Sequence, residues 1–266
     1  MIITGDETQI DLNNKTFSDG GRFYGGWWQR IDSKCRADIQ MNSLPTVEID
    51  YSALHVILAY SEAGIDYWQT NLKDSYDVPV RGEDNPERRR DIAKLFLLLS
   101  LNASDEQALY KAFRSELESR KYPYSFPDDV LLKLLDSIKK RHPDINHMMC
   151  SGAGLRLMNI DSRICDYVIA DFVRTSTPIL TLHDSFIVPI GEEDRLKQLI
   201  KEAFEDVTNK LGINAKYNRN LTRTRLSVHG PRDRGWYNRM LQWMNKGNPT
   251  NGYQRRLQRH SEHFAQ

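Results

Sequence analysis

The chain has few cysteines, no long apolar run and almost no net charge, and each of these absences narrows its class. Its 266 residues include three cysteines, an odd number without metal-ligand spacing, which indicates free thiols in a reducing cytoplasm. No run approaches the roughly 18 apolar residues of a membrane span. No basic stretch followed by an apolar one opens the chain, so we expect neither membrane insertion nor secretion. A hydrophobic fraction of 39% and a net charge of +1 are typical of a globular protein with a substantial core.

The small net charge conceals a basic, aromatic C-terminal segment, residues 216–266. It holds eleven Lys and Arg residues against two acidic ones, which gives it a charge of +9. The aromatic residues interleaved with them are Tyr217, Trp236, Tyr237, Trp243 and Tyr253. Basic side chains attract phosphate, and aromatic rings offer faces on which bases stack. The segment therefore predicts contact with nucleic acid, and the alternative is a solvated tail with a few core aromatics.

Two segments each deliver an aspartate to the end of an apolar run. Residues 45–50 alternate between polar and apolar side chains, which predicts a strand that ends at Asp50. Residues 179–182 and 186–190 predict two further strands, with Asp184 at the join between them. Each aspartate is therefore expected at the end of a strand.

Paired carboxylates of this kind are ligands that suit a hard cation. Mg²⁺ prefers carboxylate, phosphate and water oxygens, so Asp50 and Asp184 are the predicted ligands of two Mg²⁺ ions, for which Mn²⁺ can substitute. Glu48 shares the predicted face of Asp50 and either supports the metal or is an exposed strand carboxylate. The alternative for the aspartates is a helix N-terminal residue at Asp50 and a turn former at Asp184.

A pair of cations lies between the two aspartates in the sequence. A helix is predicted from about Pro86, and Arg90 and Lys94 project from one of its faces because they are four residues apart. Arg grips a phosphate through two hydrogen bonds, and Lys acts as a point charge. The pair is predicted to bind a triphosphate, with Lys94 also acting catalytically as a proton donor to the departing pyrophosphate. A surface Arg/Lys pair is the alternative.

These three elements, in this order, resemble the single-subunit polymerases, which comprise the family A DNA polymerases and the phage and mitochondrial RNA polymerases. The strand end at Asp50 resembles their first palm motif, and the helix with Arg90 and Lys94 resembles the triphosphate-binding helix of their fingers. The His183-Asp184 turn resembles their second palm motif. The resemblance implies a nucleotidyltransferase that extends a nucleic acid strand with nucleoside triphosphates.

Flanking residues extend the resemblance to the template and primer. Gly21-Arg22-Phe-Tyr24 is similar to the Gly-Arg-x-Tyr segment that precedes the first palm motif in the RNA polymerases, and Asp161 belongs to a match with a template-side element. The resemblance implies primer or template contacts for four residues, which are Arg22, Tyr24, His183 and Asp161.

Three positions depart from the family pattern, and two of them, His55 and Asn102, concern the sugar pocket. Ser185 stands where the DNA polymerases have Glu, and His55 stands where the DNA polymerases have Glu and the RNA polymerases a small residue. Asn102 replaces the usual Tyr. We expect His55 and Asn102 to border the sugar, and the choice between ribo- and deoxyribonucleotides, the template and the primer requirement stay open.

The expected fold class is α+β, with a polymerase-like palm, a small antiparallel sheet backed by helices, and a helical fingers element. We expect helices from about residue 86 and over 105–120, 128–141, 155–173 and 192–211, and a loop over 70–89. Ser52 is predicted to cap a further helix that stops near Gly64.

The same patterns divide the chain into four predicted units. Residues 1–69 carry the first palm motif, 70–150 the fingers, 151–215 the palm hairpin and 216–266 the basic segment. Only 49 residues precede Asp50, so we expect a reduced polymerase, with an accessory protein that supplies a thumb or clamp.

The predicted function is a small DNA or RNA polymerase, or a primase-like enzyme, that uses two-metal-ion chemistry. One alternative is a polymerase-derived protein that binds nucleic acid without catalysis. Another is a metal-dependent phosphohydrolase that uses Asp50, His183 and Asp184.

Overall fold

The computed structural model describes residues 20–31, 36, 39–42, 44–70, 72–122, 126–213 and 215, and the backbone of residues 226–227. The predicted basic segment lies outside the described residues except for that two-residue backbone, and so does Cys35. The described part is α+β with a small antiparallel sheet. Within it, no helix combines the length and apolar character needed to cross a membrane.

The sheet joins strands from the two ends of the described chain. Its strands are β1 Gln40–Met41, β2 Leu44–Asp50, β3 Leu180–Leu182, β4 Ser185–Pro189 and β5 Leu226–Ser227. Their order is β1-β2-β4-β3, with β5 also paired to β2, and every pairing is antiparallel. The alternation predicted for residues 45–50 is confirmed, since Val47 and Ile49 are 1% and 0% exposed and face the main core.

Six helices flank this sheet in the described residues, and their bounds agree with the sequence patterns to within one or two residues. They are α1 Leu54–Glu62, α2 Pro86–Asn102, α3 Glu106–Ser119, α4 Asp128–Arg141, α5 Gly154–Arg174 and α6 Glu193–Lys210. Local signals explain this agreement. Asn85 accepts hydrogen bonds from the first turn of α2, Pro86 occupies its first position, and Asp105 caps α3.

The predicted cap of α1 is wrong. Ala53, not Ser52, is the N-cap residue, and it has a left-handed φ of +55° with no side-chain cap. The physical reason for the shifted cap is the strand pairing of β2. Pairing continues past the end of β2, where the Tyr51 N–H donates to the Asp184 carbonyl at 3.1 Å, so the chain must reverse direction within two residues. The helix ends before Gly64, as expected.

The helices form one core with the inner face of the sheet. Helices α2 and α3 pack together through Phe96 and Phe113, whose ring centroids are 4.8 Å apart, and α5 packs against α1 and α6. Helix α5 begins against the end of α2, since a Cβ on Gly154 would lie 3.0 Å from the Asn102 Cα. A smaller cluster of Ile39, Met41 and Ile187 covers the other face of the sheet.

Candidate active site

The sheet brings the two predicted metal ligands to the same edge. Asp50, the last residue of β2, lies opposite Ser185, the first residue of β4, and Asp184 immediately precedes it. The hydrogen bond from Tyr51 N–H to the Asp184 carbonyl closes this end of the ladder. Both aspartates are partly buried. Two segments distant in the sequence therefore meet at this sheet edge, with the two aspartates on neighbouring strand ends.

The turn that carries Asp184 is tight and conformationally strained. Strands β3 and β4 are joined by only His183 and Asp184, and His183 has a φ of +55°. Two-residue hairpins require a left-handed residue, a conformation that costs a non-glycine residue about 1–2 kcal/mol. Strain of this kind is often retained at functional sites.

Glu48 holds this turn against β2. Ser185 Oγ donates to Glu48 Oε1 at 2.7 Å, and the Arg36 guanidinium reaches the other carboxylate oxygen at 3.4 Å. Glu48 is 7% exposed, so the prediction of an exposed strand carboxylate is wrong. Its two contacts make it a support for the hairpin, because they fix the residue next to Asp184.

Arg22, Asp161 and His55 form a buried network beside the turn. The Arg22 guanidinium donates to Asp161 Oδ2 through Nε at 3.0 Å and lies 2.8 Å from it through Nη2. The same Nη2 lies 3.0 Å from His55 Nε2, which accepts because a guanidinium can only donate. Burial alone would raise the pKa of Asp161, but the neighbouring His55 and Arg22 outweigh burial and hold that pKa below its usual value.

The pKa of Asp184 is shifted in the opposite direction, although the same residues surround it. Burial, followed by the negative charge of Asp161, raises the pKa of Asp184 to about 6, against an opposing effect of His55 and Arg22. At pH 7 the carboxyl group is therefore mostly ionised, and it becomes protonated as the pH falls through 6. Such a shifted carboxylate is typical of a group whose charge is used in function.

The cations of α2 lie beside a tyrosine that sequence analysis missed. Arg90 Nε donates to Asp74 Oδ2 at 2.7 Å, and its guanidinium lies 4.9 Å from the centroid of the Tyr76 ring. Lys94 Nζ lies 6.0 Å from the same centroid. Burial raises the pKa of Tyr76, and Asp184 adds to this increase, so the phenol is within electrostatic reach of Asp184. Tyr76 thus lies beside the cation pair and interacts electrostatically with the second predicted metal ligand.

The hydroxyl of Tyr76 is a buried donor in this region. The residue is 4% exposed, and its hydroxyl has no hydrogen-bond partner within the part of the chain that the structure describes. A buried polar group without a partner is costly and marks a place where a ligand group can bind. The sequence contains a signal for it, since Tyr76, Val78 and Val80 alternate within the predicted loop, and all three are buried.

A second buried network holds the loop of Asp74 and Tyr76 in place. Arg141 donates to the Asp74 carbonyl at 2.8 Å, and His142 Nε2 donates to the Ser75 carbonyl at 2.8 Å. The other His142 nitrogen, Nδ1, accepts from the Tyr60 hydroxyl at 3.0 Å. Burial lowers the pKa of His142 and keeps the ring neutral, as this pairing requires.

The structure places the remaining predicted site residues at different distances from this centre. The ring of Tyr24 lies edge-on to His183, with centroids 6.1 Å apart, so both flank the turn of Asp184. Asn102 lies eight residues after Lys94, about 12 Å along α2, and its Nδ2 donates to the Leu98 carbonyl at 2.7 Å. The predicted sugar-pocket residues are therefore separated, with His55 in the buried network and Asn102 at the far end of α2.

A cavity of about 610 Å³ between α5 and α6 is a different feature. Charged residues on its rim pair with each other, Arg174 with Asp171 and Lys210 with Asp206. None of the predicted site residues lines it. Arg22, Asp161 and His183 instead line a small closed pocket at the sheet edge, which has no room for a water molecule.

The donor set at the sheet edge suits Mg²⁺. Among the described residues, no group of three or more His, Cys, Asp or Glu side chains is arranged to hold a metal ion. Magnesium sites for phosphate substrates commonly use one or two carboxylates and complete the coordination with phosphate and water oxygens. Asp50 and Asp184 provide such a pair.

Comparison with protein families and with curated proteins assigns no function to the chain. The chain matches no model of a known protein family and no curated protein.

Proposed function

We propose that the protein is a nucleotidyltransferase that extends a nucleic acid strand from nucleoside triphosphates. The observation that carries the proposal is the position of Asp50 and Asp184 at adjoining strand ends, with Asp184 in electrostatic reach of Tyr76, on which Arg90 and Lys94 lie. In this proposal, the two aspartates supply the carboxylates for a metal, and Arg90 and Lys94 supply the cations for a triphosphate. In this reading, the small antiparallel sheet with its helices serves as the palm, and α2 as the fingers element.

In the reaction, the 3′-hydroxyl oxygen of the growing strand bonds to the α-phosphorus, the hydroxyl proton passes to solvent water, and the bond from that phosphorus to the β-phosphate oxygen breaks. Asp50 and Asp184 would hold two Mg²⁺ ions, which when bound acidify the hydroxyl and neutralise the leaving oxygens. Lys94, an exposed cation, would donate a proton to the departing pyrophosphate. Asp184 provides its carboxylate above pH 6, where it is ionised.

Arg90 has a partner that a triphosphate can replace. Its ion pair with Asp74 is about one-third exposed on both sides, and such pairs contribute little to stability. A triphosphate offers more negative charge and a bidentate acceptor, so the exchange of Asp74 for phosphate is favourable. The ring of Tyr76 keeps the guanidinium in place during the exchange.

Arg22 has a different role from the predicted template contact. Its guanidinium is bound to Asp161, which is 2% exposed on its side chain, and to His55. Removing an arginine from such a buried pair is costly, so we assign Arg22 to the positioning of His55 beside the nucleotide. Template and primer contacts are then left to Tyr24, His183 and the basic segment 216–266.

The test is nucleotide incorporation by the Asp184→Ala variant. Primed and unprimed templates are incubated with Mg²⁺ and either ribo- or deoxyribonucleotides, and the labelled products are sized on a gel. We expect Asp184→Ala to abolish incorporation while the circular dichroism spectrum is unchanged. The matched control is Asp194→Ala, since the side chain of Asp194 is 99% exposed on α6. Full activity in Asp184→Ala would contradict the proposal.

A second function is favoured by one observation. Both Arg22 and Arg90 are bound to carboxylates, Asp161 and Asp74, and a protein that only binds nucleic acid would keep them so. Such a protein would bind nucleic acid with a strong salt dependence and incorporate no nucleotide. The same incorporation assay separates the two functions.

A further inference from the structure

Trp27 is an exposed aromatic residue on a turn that is fixed to the catalytic hairpin. It is 60% exposed and begins the short 3₁₀ turn Trp27–Gln29. The next two residues of the turn face inward. Trp28 Nε1 donates to the Thr181 carbonyl at 2.8 Å, and Gln29 Nε2 donates to the same carbonyl at 3.0 Å. Thr181 belongs to β3, which leads directly into His183 and Asp184.

The turn is built so that Trp28 is inside and Trp27 outside. The ring of Trp28 lies against the backbone of Gly26, where a Cβ would be 2.4 Å from the ring. The same ring packs on the cluster that covers the outer face of the sheet. Trp27 contacts it edge-on, with centroids 6.0 Å apart and planes at 85°. Its indole is therefore supported by a fixed neighbour although it faces solvent.

The chemistry around Trp27 fits a nucleic acid strand. Residues 20–31 contain two arginines, Arg22 and Arg30, and no acidic residue, and Arg30 is exposed. Tyr24, 40% exposed, adjoins the same turn and lies edge-on to His183. A cation and two exposed aromatic rings next to the hairpin offer a partner both charge and stacking faces.

We propose that Trp27 is a platform on which one unpaired base of a nucleic acid strand stacks as the strand enters the site. The inference rests on the proposed function, which supplies the reason for a strand to be there. Every base has a π-face, so the contact does not depend on sequence. Trp28 and Gln29 already hold the turn in place before a strand binds. Stacking on Trp27 therefore costs little conformational entropy.

The test is a binding measurement without triphosphates. The probe is a fluorescein-labelled single-stranded deoxyoligonucleotide of about 12 nucleotides, within the range of about 4–16 that single-strand sites cover, and its affinity is measured by fluorescence anisotropy. A set of probes carries one abasic site at each position in turn. We expect Trp27→Ala to weaken binding by about 5- to 150-fold, Trp27→Phe to keep most of the affinity, and the salt dependence to be unchanged, since phosphate contacts are intact.

Two comparisons make the result specific. One abasic position should weaken binding to the unsubstituted protein by a similar factor and add little in Trp27→Ala, since both changes remove the same contact. The control is Leu132→Ala, which removes an apolar side chain 46% exposed on α4 and should leave the affinity unchanged.

The proposal is overturned if Trp27→Ala binds the probe as tightly as the unsubstituted protein, or if its effect adds fully to that of every abasic position. Self-association of the protein that Trp27→Ala abolishes would also overturn it, because the ring would then be a subunit contact. Loss of binding in Trp27→Ala without nucleotide incorporation by the unsubstituted protein would contradict only the proposed function. Incorporation together with unchanged binding would contradict only the platform.

Discussion

Replacing Asp184 with asparagine is expected to stabilise the protein while it abolishes activity. A carboxyl group whose pKa is about 6 in the fold and 3.8 in the open chain destabilises the folded state by about 3 kcal/mol at pH 8. Asp184 is only partly buried, and water reduces this figure, so we expect a gain of about 1–2 kcal/mol in Asp184→Asn. The amide keeps the shape of the side chain and removes the charge that burial and Asp161 disfavour.

The pH dependence follows from the raised pKa. Between pH 3.8 and about 6 the folded state binds the proton that the unfolded state has lost, so the wild-type protein loses stability as the pH rises through this window. The difference between Asp184→Asn and wild type should therefore be small at pH 4 and complete at pH 8. Urea unfolding at several pH values measures it, and Asp194→Asn, at a residue 99% exposed, is the control.

Magnesium provides the complementary measurement. A cation that binds the ionised carboxylates stabilises the fold by an amount set by its concentration and affinity, about 1.4 kcal/mol at ten times the dissociation constant. Added Mg²⁺ should thus raise the unfolding temperature of the wild type at pH 8 and leave that of Asp184→Asn almost unchanged. A wild type more stable than Asp184→Asn at pH 8, or the same difference between the two proteins at pH 4 and pH 8, would contradict a raised pKa of Asp184.

Two further predictions concern the cation helix and its packing. Arg90→Ala should raise the KM for nucleoside triphosphate by about 10- to 100-fold, because charge-assisted hydrogen bonds contribute roughly 1.5–3 kcal/mol, and steady-state kinetics with an unchanged unfolding temperature would support this. An unchanged KM would contradict the role of Arg90. Gly154→Ala should cost about 1–3 kcal/mol, since its Cβ would meet the Asn102 backbone at 3.0 Å; urea unfolding checks this, and an unchanged free energy of unfolding would contradict the close contact between α5 and α2.

Local patterns predicted the helices well because their signals act over a few residues. Asn85 and Pro86 begin α2 through contacts within one turn, and the apolar periodicity of residues 128–141 matches α4 from end to end. The cap of α1 failed because a long-range bond, from Tyr51 to the Asp184 carbonyl, determines where the chain turns. A chain reversal that depends on a hydrogen bond to a distant strand cannot be predicted from a short stretch of sequence.

The same difference between local and long-range signals explains which parts of the candidate site were predicted from the sequence. The sequence indicated that Asp50 and Asp184 end strands, but their register depends on pairing across more than a hundred residues. The partners of Arg22 and Arg90 were missed for the same reason, since Asp161 is far away in the chain and Asp74 lies in a stretch without helix or strand. Only the buried alternation beginning at Tyr76 offered a local hint of that stretch's role.

The opposite pKa shifts of Asp161 and Asp184 favour a structural role for Asp161 and a chemical role for Asp184. Both carboxylates lie near Arg22 and His55, but only Asp161 has direct contacts with them, and its pKa is lowered. Asp184 interacts with Arg22 and His55 only at a distance and with Asp161 as a like charge, and its pKa is raised to about 6. A carboxylate that is paired with a fixed cationic partner stabilises the fold. A carboxylate whose ionised form is unfavourable in its surroundings is stabilised most when a cation binds to it. In the proposed function, the metal would therefore bind Asp184 and its strand neighbour Asp50, and the negative charge of Asp161 would make that binding more favourable.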